Sequence, residues 1–235
     1  MEPAMNYIAV ITGDIVNSGI LNATERKNMP EKLKRIFSSL SESPEPGGRP
    51  GPGESPGRKE NLIHGQQFDI FRGDSFQGVV QESAKALRTG LWIKTSLMKT
   101  TAEFGSYDCR LAIGIGKAAF MASNALESDG EAFRYSGPAL DAMEQEERLK
   151  IVTPWEQVNQ EMQVACKLAD MILKRWTAAQ AGIITEALAG KTQNTIAASL
   201  DITQPAVSAS LKTSGWNAIE ELIKRYEILM KNHAL

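Results

Sequence analysis

The sequence predicts an α+β fold, in which a βαββαβ sheet domain over residues 1–154 is followed by an all-α domain over 155–235. Up to Pro154, short runs of apolar and β-branched residues alternate with segments that repeat apolar residues at helical spacing. Beyond Pro154, every apolar segment has helical spacing. At 235 residues, of which 42% are hydrophobic, the chain is long enough to bury the cores of both domains.

The predicted sheet domain begins with a strand and a helix. Residues 7–12 are almost wholly apolar, which predicts a strand buried on both faces. Apolar residues recur at helical spacing from Leu33 to Leu40, with Pro30 near the predicted first turn. From 41 to 57 the composition changes to Pro, Gly, Ser and Glu, which predicts a flexible insertion over about 41–65 without a function of its own.

A hairpin and two further helix–strand pairs complete this domain. Residues 68–72 and 75–80 are strand-like and are separated by Gly73-Asp74, which predicts a tight hairpin. Next come a helix over about 82–101, a strand over 109–115, a helix from the predicted N-cap Ser136 to about Leu149, and a strand over 151–153. This order is typical of a ferredoxin-like βαββαβ sheet with its helices on one face.

Two acidic motifs stand where neighbouring strands of such a sheet end. Asp14 follows the first strand and Asp74 lies in the hairpin, each directly after a glycine. Because the first strand and the hairpin are central neighbours, the two carboxylates are expected to converge. Taken singly, each aspartate is typical of a turn or a helix cap. Together they predict a Mg²⁺ site, since Mg²⁺ is bound by one or two carboxylates along with substrate phosphates.

The loops that carry these aspartates predict contacts to a purine nucleoside triphosphate or a related nucleotide. Backbone N–H groups in a strand-to-helix loop such as the one after Asp14 can bind phosphate oxygens. Arg72 is a nearby cation, for which a solvated surface charge is the competing interpretation. The predicted nucleotide-binding residues are Ile15, Asn17, Ser18, Arg72 and Gly73.

These motifs resemble those of the palm-like catalytic domains of class III nucleotide cyclases and GGDEF diguanylate cyclases. Residues 14–18 resemble the first-strand motif, and 71–76 resemble the hairpin that carries the second metal-binding aspartate. Residues 110–116 are similar to the strand that follows the second helix of cyclases. Over its whole length the chain resembles the SatD family of small bacterial proteins, which implies a regulatory role.

The resemblance to cyclases breaks down at positions that serve catalysis. Cyclases carry an asparagine and an arginine in their last helix, where Asp141 and Gln145 stand in this sequence. Loss of the arginine removes a charge that stabilises the transition state of phosphoryl transfer. Ser75 stands where GGDEF proteins have a glutamate. The resemblance therefore implies nucleotide binding rather than cyclisation, and a homodimer, because cyclases build composite sites from two chains.

The all-α domain contains a helix–turn–helix pattern over residues 193–212. Residues 201–203 form the predicted turn, and Thr203 is the predicted N-cap of the second helix. This pattern resembles the helix–turn–helix of sigma-factor-like and MarR-like bacterial regulators. The apolar residues expected to face inward are Ile196, Ala197, Leu200, Val207 and Leu211.

DNA binding by this pattern would place the start of the second helix in the major groove. Gln204 is then positioned to contact an adenine edge, with Ser208 and Lys212 on the same exposed side. Lys191 and Thr192 stand where phosphate contacts are usual. The sequence thus predicts five residues at a DNA interface.

Charge and composition limit the possible partners. The net charge of −2 argues against non-specific coating of nucleic acid. From residue 166 onward the chain has 8 Lys+Arg and 6 Asp+Glu, an excess too small to neutralise many phosphates. A packing or dimerisation role is therefore the alternative for the helix–turn–helix. The two distant cysteines favour a reduced, cytoplasmic protein. No apolar run has the length of a membrane span, so no membrane partner is expected. The apolar stripe of the last predicted helix, 216–231, is expected to pack within its domain or against a second copy.

Three hypotheses follow. The first is a cytosolic bacterial regulatory protein that binds a nucleotide with Mg²⁺ at Asp14 and Asp74 and couples that state to a DNA-binding helix–turn–helix. The second is an active nucleotidyl cyclase or transferase with an accessory helical domain. The third is a non-catalytic interaction protein.

Overall fold

The computed structural model describes residues 7–42, 67–71, 73–102, 105–120 and 129–234, which form an α+β structure. The strands are β1 (Tyr7–Ile15), β2 (Gln67–Phe71), β3 (Ser75–Val80), β4 (Thr101–Ala102), β5 (Gly105–Ser106), β6 (Cys109–Phe120), β7 (Asp129–Gly130) and β8 (Leu149–Val152). The helices are α1 (Ala23–Glu42), α2 (Ala86–Met98), α3 (Glu131–Asp141), α4 (Glu156–Leu173), α5 (Ala178–Leu188), α6 (Gln193–Leu200), α7 (Gln204–Thr213) and α8 (Trp216–His233). Most of the predicted insertion over about 41–65 lies outside the described residues.

Six strands form one mixed sheet in the order β2-β3-β1-β6-β7, with β8 also paired to β6. β1 lies inside the sheet and is antiparallel to β3 on one side and to β6 on the other. β8 runs parallel to β6, whereas β4 and β5 form a separate two-stranded hairpin. The predicted order of strands and helices is present, and β4, β5 and β7 are additional to it.

Helices cover both faces of this sheet, so the expectation that they lie on one face is wrong. Side chains of β1 alternate between the faces: Ile11 belongs to the core beneath α1 and α2, whereas Val10 clusters with Ala132 of α3. Gly114 of β6 makes room for α3, because a Cβ at this position would lie 2.2 Å from the Ala132 carbonyl oxygen. Both faces of β1 are therefore buried, as its continuous apolar run predicts.

α3 begins earlier in the chain than the sequence predicts. It starts at Glu131, so Ser136 lies inside the helix and is not its N-cap. The buried Ser136 hydroxyl instead accepts a hydrogen bond from the Thr12 hydroxyl of β1 at 2.9 Å. The helix ends at Asp141, and the predicted end at Leu149 is wrong because Leu149 begins β8. The residue predicted to start the helix therefore fastens the middle of α3 to the sheet.

α2 lies between the sheet and the helical part of the chain formed by α4–α8. Nearly every residue of α2 is buried, since α5 packs against it from the side away from the sheet. The Tyr226 hydroxyl of α8 donates a hydrogen bond to the Ser83 carbonyl oxygen at 2.8 Å, and Arg88 forms an ion pair with Glu227 at 2.9 Å. One hydrophobic core runs from the sheet through α2 into α5 and α8. The hydrophobic core is thus continuous between the sheet and the all-helical part of the chain that follows Pro154.

Candidate functional site

Asp14 is held by an arginine of the neighbouring strand. The register of β1 and β6 pairs Asp14 with Arg110, and the guanidinium donates to both carboxylate oxygens, from Nε at 3.0 Å and from Nη2 at 2.5 Å. Arg110 also donates to the Met143 carbonyl oxygen beyond α3 at 3.3 Å. The hydrogen bond to Asp14 raises the pKa of Arg110 above its ordinary value. Both oxygens of the Asp14 carboxylate therefore accept hydrogen bonds from the same cationic group.

Asp74 belongs to a small depression beside the start of α1. Its Oδ2 accepts a hydrogen bond from the Ser18 hydroxyl at 2.6 Å, and its Oδ1 accepts one from the Ser75 hydroxyl at 3.3 Å. The depression has a volume of about 180 Å³. Its lining is Ser18, Gly19, Leu21, Arg26, Met29, Gly73 and Asp74.

The two aspartates are neighbours along the backbone, but their side chains have different surroundings. The Ile15 N–H donates to the Asp74 carbonyl oxygen at 3.0 Å, so Asp74 stands opposite the residue after Asp14. Strand alternation directs Asp14 to the α3 side of the sheet, and Asp74 contacts the α1 side. Among the described residues the two carboxylates share no hydrogen-bond partner, and no group of three or more His, Cys, Asp or Glu is arranged to hold a metal. In this arrangement the donor set does not fit a bound Mg²⁺.

The other predicted nucleotide-binding residues lie in the loops next to Asp14 and Asp74. Ile15 is buried and reaches Asp74 through its backbone, whereas Asn17 is exposed and has a left-handed backbone with φ 56°. Ser18 and Gly73 line the depression at Asp74, and Gly73 has φ 82°. Arg72 lies outside the described residues.

A buried charged cluster joins α2, β6, β8 and α4, and the sequence patterns did not identify it. The ammonium group of the fully buried Lys94 forms an ion pair with Asp108, which also accepts from Arg148 Nε at 2.9 Å. The Arg148 backbone N–H donates to Asp170 Oδ2 at 3.0 Å. The signal that would have found it is a lysine in a helix with one other charged residue, as Lys94 is in α2 together with Arg88.

The segment predicted to be a helix–turn–helix contains α6, a connection over residues 201–203, and α7. Asp201 ends α6 with a left-handed backbone of φ 53°, and the Thr203 hydroxyl accepts a hydrogen bond from the Ala206 N–H at 3.4 Å. The predicted N-cap at Thr203 is thus confirmed. Leu200, expected to face inward, is 38% exposed, because it ends α6 and lies beside the exposed turn residue Ile202.

α7 is anchored by two buried side chains and exposes most of its other residues. Val207 and Leu211 are the buried residues, as predicted. Residues 204–206, 208, 209, 212 and 213 are exposed. Apart from these two positions, the surface of α7 is therefore largely open to solvent.

The five residues predicted for DNA binding lie around one surface depression. Lys191, Thr192, Ser208 and Lys212 line a depression of about 550 Å³ between α6, α7 and α8. Gln204 is not one of the lining residues, but it contacts one of them. Its Nε2 donates a hydrogen bond to Oε1 of Gln193 at 2.7 Å. Lys191 forms an ion pair with Glu186 at 2.5 Å, which reduces the charge it presents to phosphate.

Comparisons of the chain with protein-family models, with curated proteins and with solved structures found no match. In the described part of the chain, no helix combines the length and the apolarity needed to cross a membrane.

Proposed function

We propose that this chain is a regulatory protein that binds DNA through α6 and α7. The observation that carries the proposal is the architecture of α7, which buries only Val207 and Leu211 and presents Gln204, Ser208 and Lys212 to solvent. In helix–turn–helix proteins the first residues of the second helix contact base edges in the major groove. Gln204 is the first residue of α7 and carries an amide that can pair with adenine.

The charge around α7 supports sequence-dependent contacts more than bulk electrostatic attraction. Lys212 is exposed, whereas Lys191 is already paired with Glu186. With few free cations, phosphate neutralisation contributes little, and affinity is expected to depend on base contacts. The proposal therefore depends on base contacts by α7, and the low charge remains the argument for the packing or dimerisation alternative.

Selection from a random pool of duplex DNA, followed by titration of the selected site, tests the proposal. We expect Gln204→Ala to weaken binding by about 10-fold to 100-fold, the value of one bidentate base contact. Ser208→Glu should abolish binding, because it places a negative charge against the duplex. Lys34→Ala, an exposed lysine on α1, is the control and should change affinity less than twofold. Absence of any enriched site, or binding unaffected by Gln204→Ala and Ser208→Glu, would contradict the proposal.

The second candidate function is binding of a nucleotide with Mg²⁺ at the sheet edge, in a ferredoxin-like palm. The strand order β2-β3-β1-β6 supports a palm, since a βαββαβ unit produces this order. The hydrogen bond between the Ile15 N–H and the Asp74 carbonyl oxygen favours the site itself, because it makes Asp14 and Asp74 backbone neighbours. Metal binding by both carboxylates requires the Asp14–Arg110 ion pair to open.

Thermal unfolding with ATP or GTP, with and without Mg²⁺, tests this candidate. A ligand of the folded state raises the melting temperature by mass action, by several degrees at ligand concentrations well above Kd. We expect the rise to need Mg²⁺ and to be absent in Asp74→Asn, whereas Asp129→Asn, an exposed aspartate of β7, should keep it. Turnover to a cyclic or transferred product would favour the enzyme hypothesis. No rise under any condition would exclude the nucleotide and leave DNA binding unaffected.

A further inference from the structure

A cleft lies between α1 and α2, and it shares no lining residue with the depression at Asp74. Its volume of about 670 Å³ exceeds the volumes of the depressions at Asp74 and at α7. Sites for small organic molecules have volumes of about 300–1,000 Å³. The cleft is therefore large enough for such a molecule, and neither function proposed above uses it.

A buried hydroxyl without a partner belongs to the wall of this cleft. Ser96 of α2 lines the cleft and is 2% exposed. Its Oγ has no hydrogen-bond partner among the described residues. Because buried polar groups are nearly always paired, an unpaired hydroxyl in the wall of a cleft indicates a place for a bound polar atom.

Basic side chains line the same cleft from both helices. Lys32 and Arg35 belong to α1, and Lys99 is the C-cap of α2. The side chains of Arg35 and Lys99 form no ion pair with any residue that the structure describes. Burial lowers the pKa of Lys32, whose ammonium group lies 3.7 Å from the centre of the Tyr107 ring. The cleft thus has three cationic residues in its wall.

The two carboxylates that line the cleft are engaged by other groups. Glu31 forms an ion pair at 2.9 Å with Lys34, which is not a lining residue. Glu25 accepts a hydrogen bond from the Tyr107 hydroxyl at 3.4 Å. The positive charge of the wall therefore exceeds its negative charge, and an anion is the ligand that this excess favours.

We propose that the cleft binds a small organic anion, whose phosphate or carboxylate group contacts Arg35 and Lys99. Guanidinium and ammonium groups donate charge-assisted hydrogen bonds to such oxygens. The Ser96 hydroxyl donates to the same ligand, and Ile36 and Trp92, which also line the cleft, contact its apolar part. An aromatic ring suits this wall, because ligand sites combine apolar and aromatic side chains with a few polar groups.

NMR titration of the ¹⁵N-labelled full chain tests the proposal with four probes. Phenyl phosphate and benzoate are aromatic anions, inorganic phosphate lacks the ring, and benzyl alcohol lacks the charge. We expect both aromatic anions to shift the amide resonances of residues 92–99 saturably, with dissociation constants on the order of millimolar. Benzyl alcohol and inorganic phosphate should bind about 10-fold more weakly or not at all. The tighter of the two aromatic anions identifies the preferred acidic group.

Substitutions in the wall of the cleft separate binding from folding. Arg35 and Lys99 are exposed, so Arg35→Ala and Lys99→Ala should fold as the wild type does. Each should raise the dissociation constant of phenyl phosphate about 10-fold. Lys27→Ala, which removes an exposed lysine of α1 that does not line the cleft, should change it less than twofold. Ser96→Ala should weaken binding without making the free protein less stable to urea, since it removes an unpaired buried hydroxyl.

The proposal is overturned if neither aromatic anion causes a saturable shift at about 50 mM, far above the expected dissociation constants. Binding that Arg35→Ala and Lys99→Ala leave unchanged overturns it as well, and so does equally tight binding of benzyl alcohol. None of these titrations contains DNA or Mg²⁺, and Asp74→Asn should bind the probes as the wild type does. Their outcome is therefore independent of both functions proposed above.

Discussion

Replacing Gly114 with alanine is expected to lower the free energy of unfolding by about 3 kcal/mol, at the upper end of overpacking effects. An added Cβ would lie 2.2 Å from the Ala132 carbonyl oxygen and 2.6 Å from the Ser136 backbone nitrogen. Both are backbone atoms of α3, so no side-chain rotation can relieve the overlap and the helix must move. That movement would also stretch the hydrogen bond between the hydroxyls of Thr12 and Ser136.

Gly137→Ala is the matched control for this prediction. Gly137 lies in the same helix, but an added Cβ there meets no atom within 4 Å. Alanine in a helix interior is favoured over glycine by about 0.5–1 kcal/mol, so this variant should be slightly more stable than the wild type. Urea unfolding of the three proteins measures both effects. Equal stabilities for the two variants would show that α3 does not pack on β6 as closely as described.

Replacing Asp170 with asparagine is expected to stabilise the protein by about 2 kcal/mol above pH 7. Burial raises the pKa of the Asp170 carboxyl from 3.8 to about 6, against the lowering effect of its hydrogen bond from the Arg148 N–H. Its Oδ1 is buried and has no hydrogen-bond partner among the described residues. Asparagine keeps an acceptor for the Arg148 N–H and carries no charge to be buried.

The sign of the pH dependence follows from the direction of the pKa shift. Between about pH 4 and 6 the folded protein holds a proton on Asp170 that the unfolded chain has released. The contribution of Asp170 to stability is therefore fully present below pH 4 and is lost as the pH rises through 6. Urea unfolding from pH 4 to 8 should show the advantage of Asp170→Asn growing across this range. Gly137→Ala, which changes no titratable group, should show a difference from wild type that does not vary with pH.

The pair of helices α6 and α7 was predictable because its determinants are local. The cap at Thr203 and the buried positions Val207 and Leu211 stand at fixed offsets within one stretch of chain, and the structure has them as predicted. The prediction that Leu200 faces inward was wrong for a local reason as well. Leu200 is the last residue of the short helix α6, and the turn that follows it is exposed.

α3 was less predictable because its position depends on residues distant in sequence. Ser136 and Pro138 are typical of a helix start, yet α3 begins at Glu131. The two glycine-to-helix contacts of β6, at Gly114 and Gly116, allow the first turns of α3 to lie against the sheet. No local pattern around Ser136 contains that information.

By itself, the sequence determined the order of the main strands and helices, that β1 is buried on both faces, and that Thr203 caps α7. Only the tertiary structure decided which side chains meet. It paired Asp14 with Arg110 of β6 and Asp74 with Ser18, and it left Val164, Leu168 and Met171 of α4 exposed. The physical reason is that helical and strand periodicities are properties of neighbouring residues, whereas strand register and helix docking depend on packing between segments far apart in the chain.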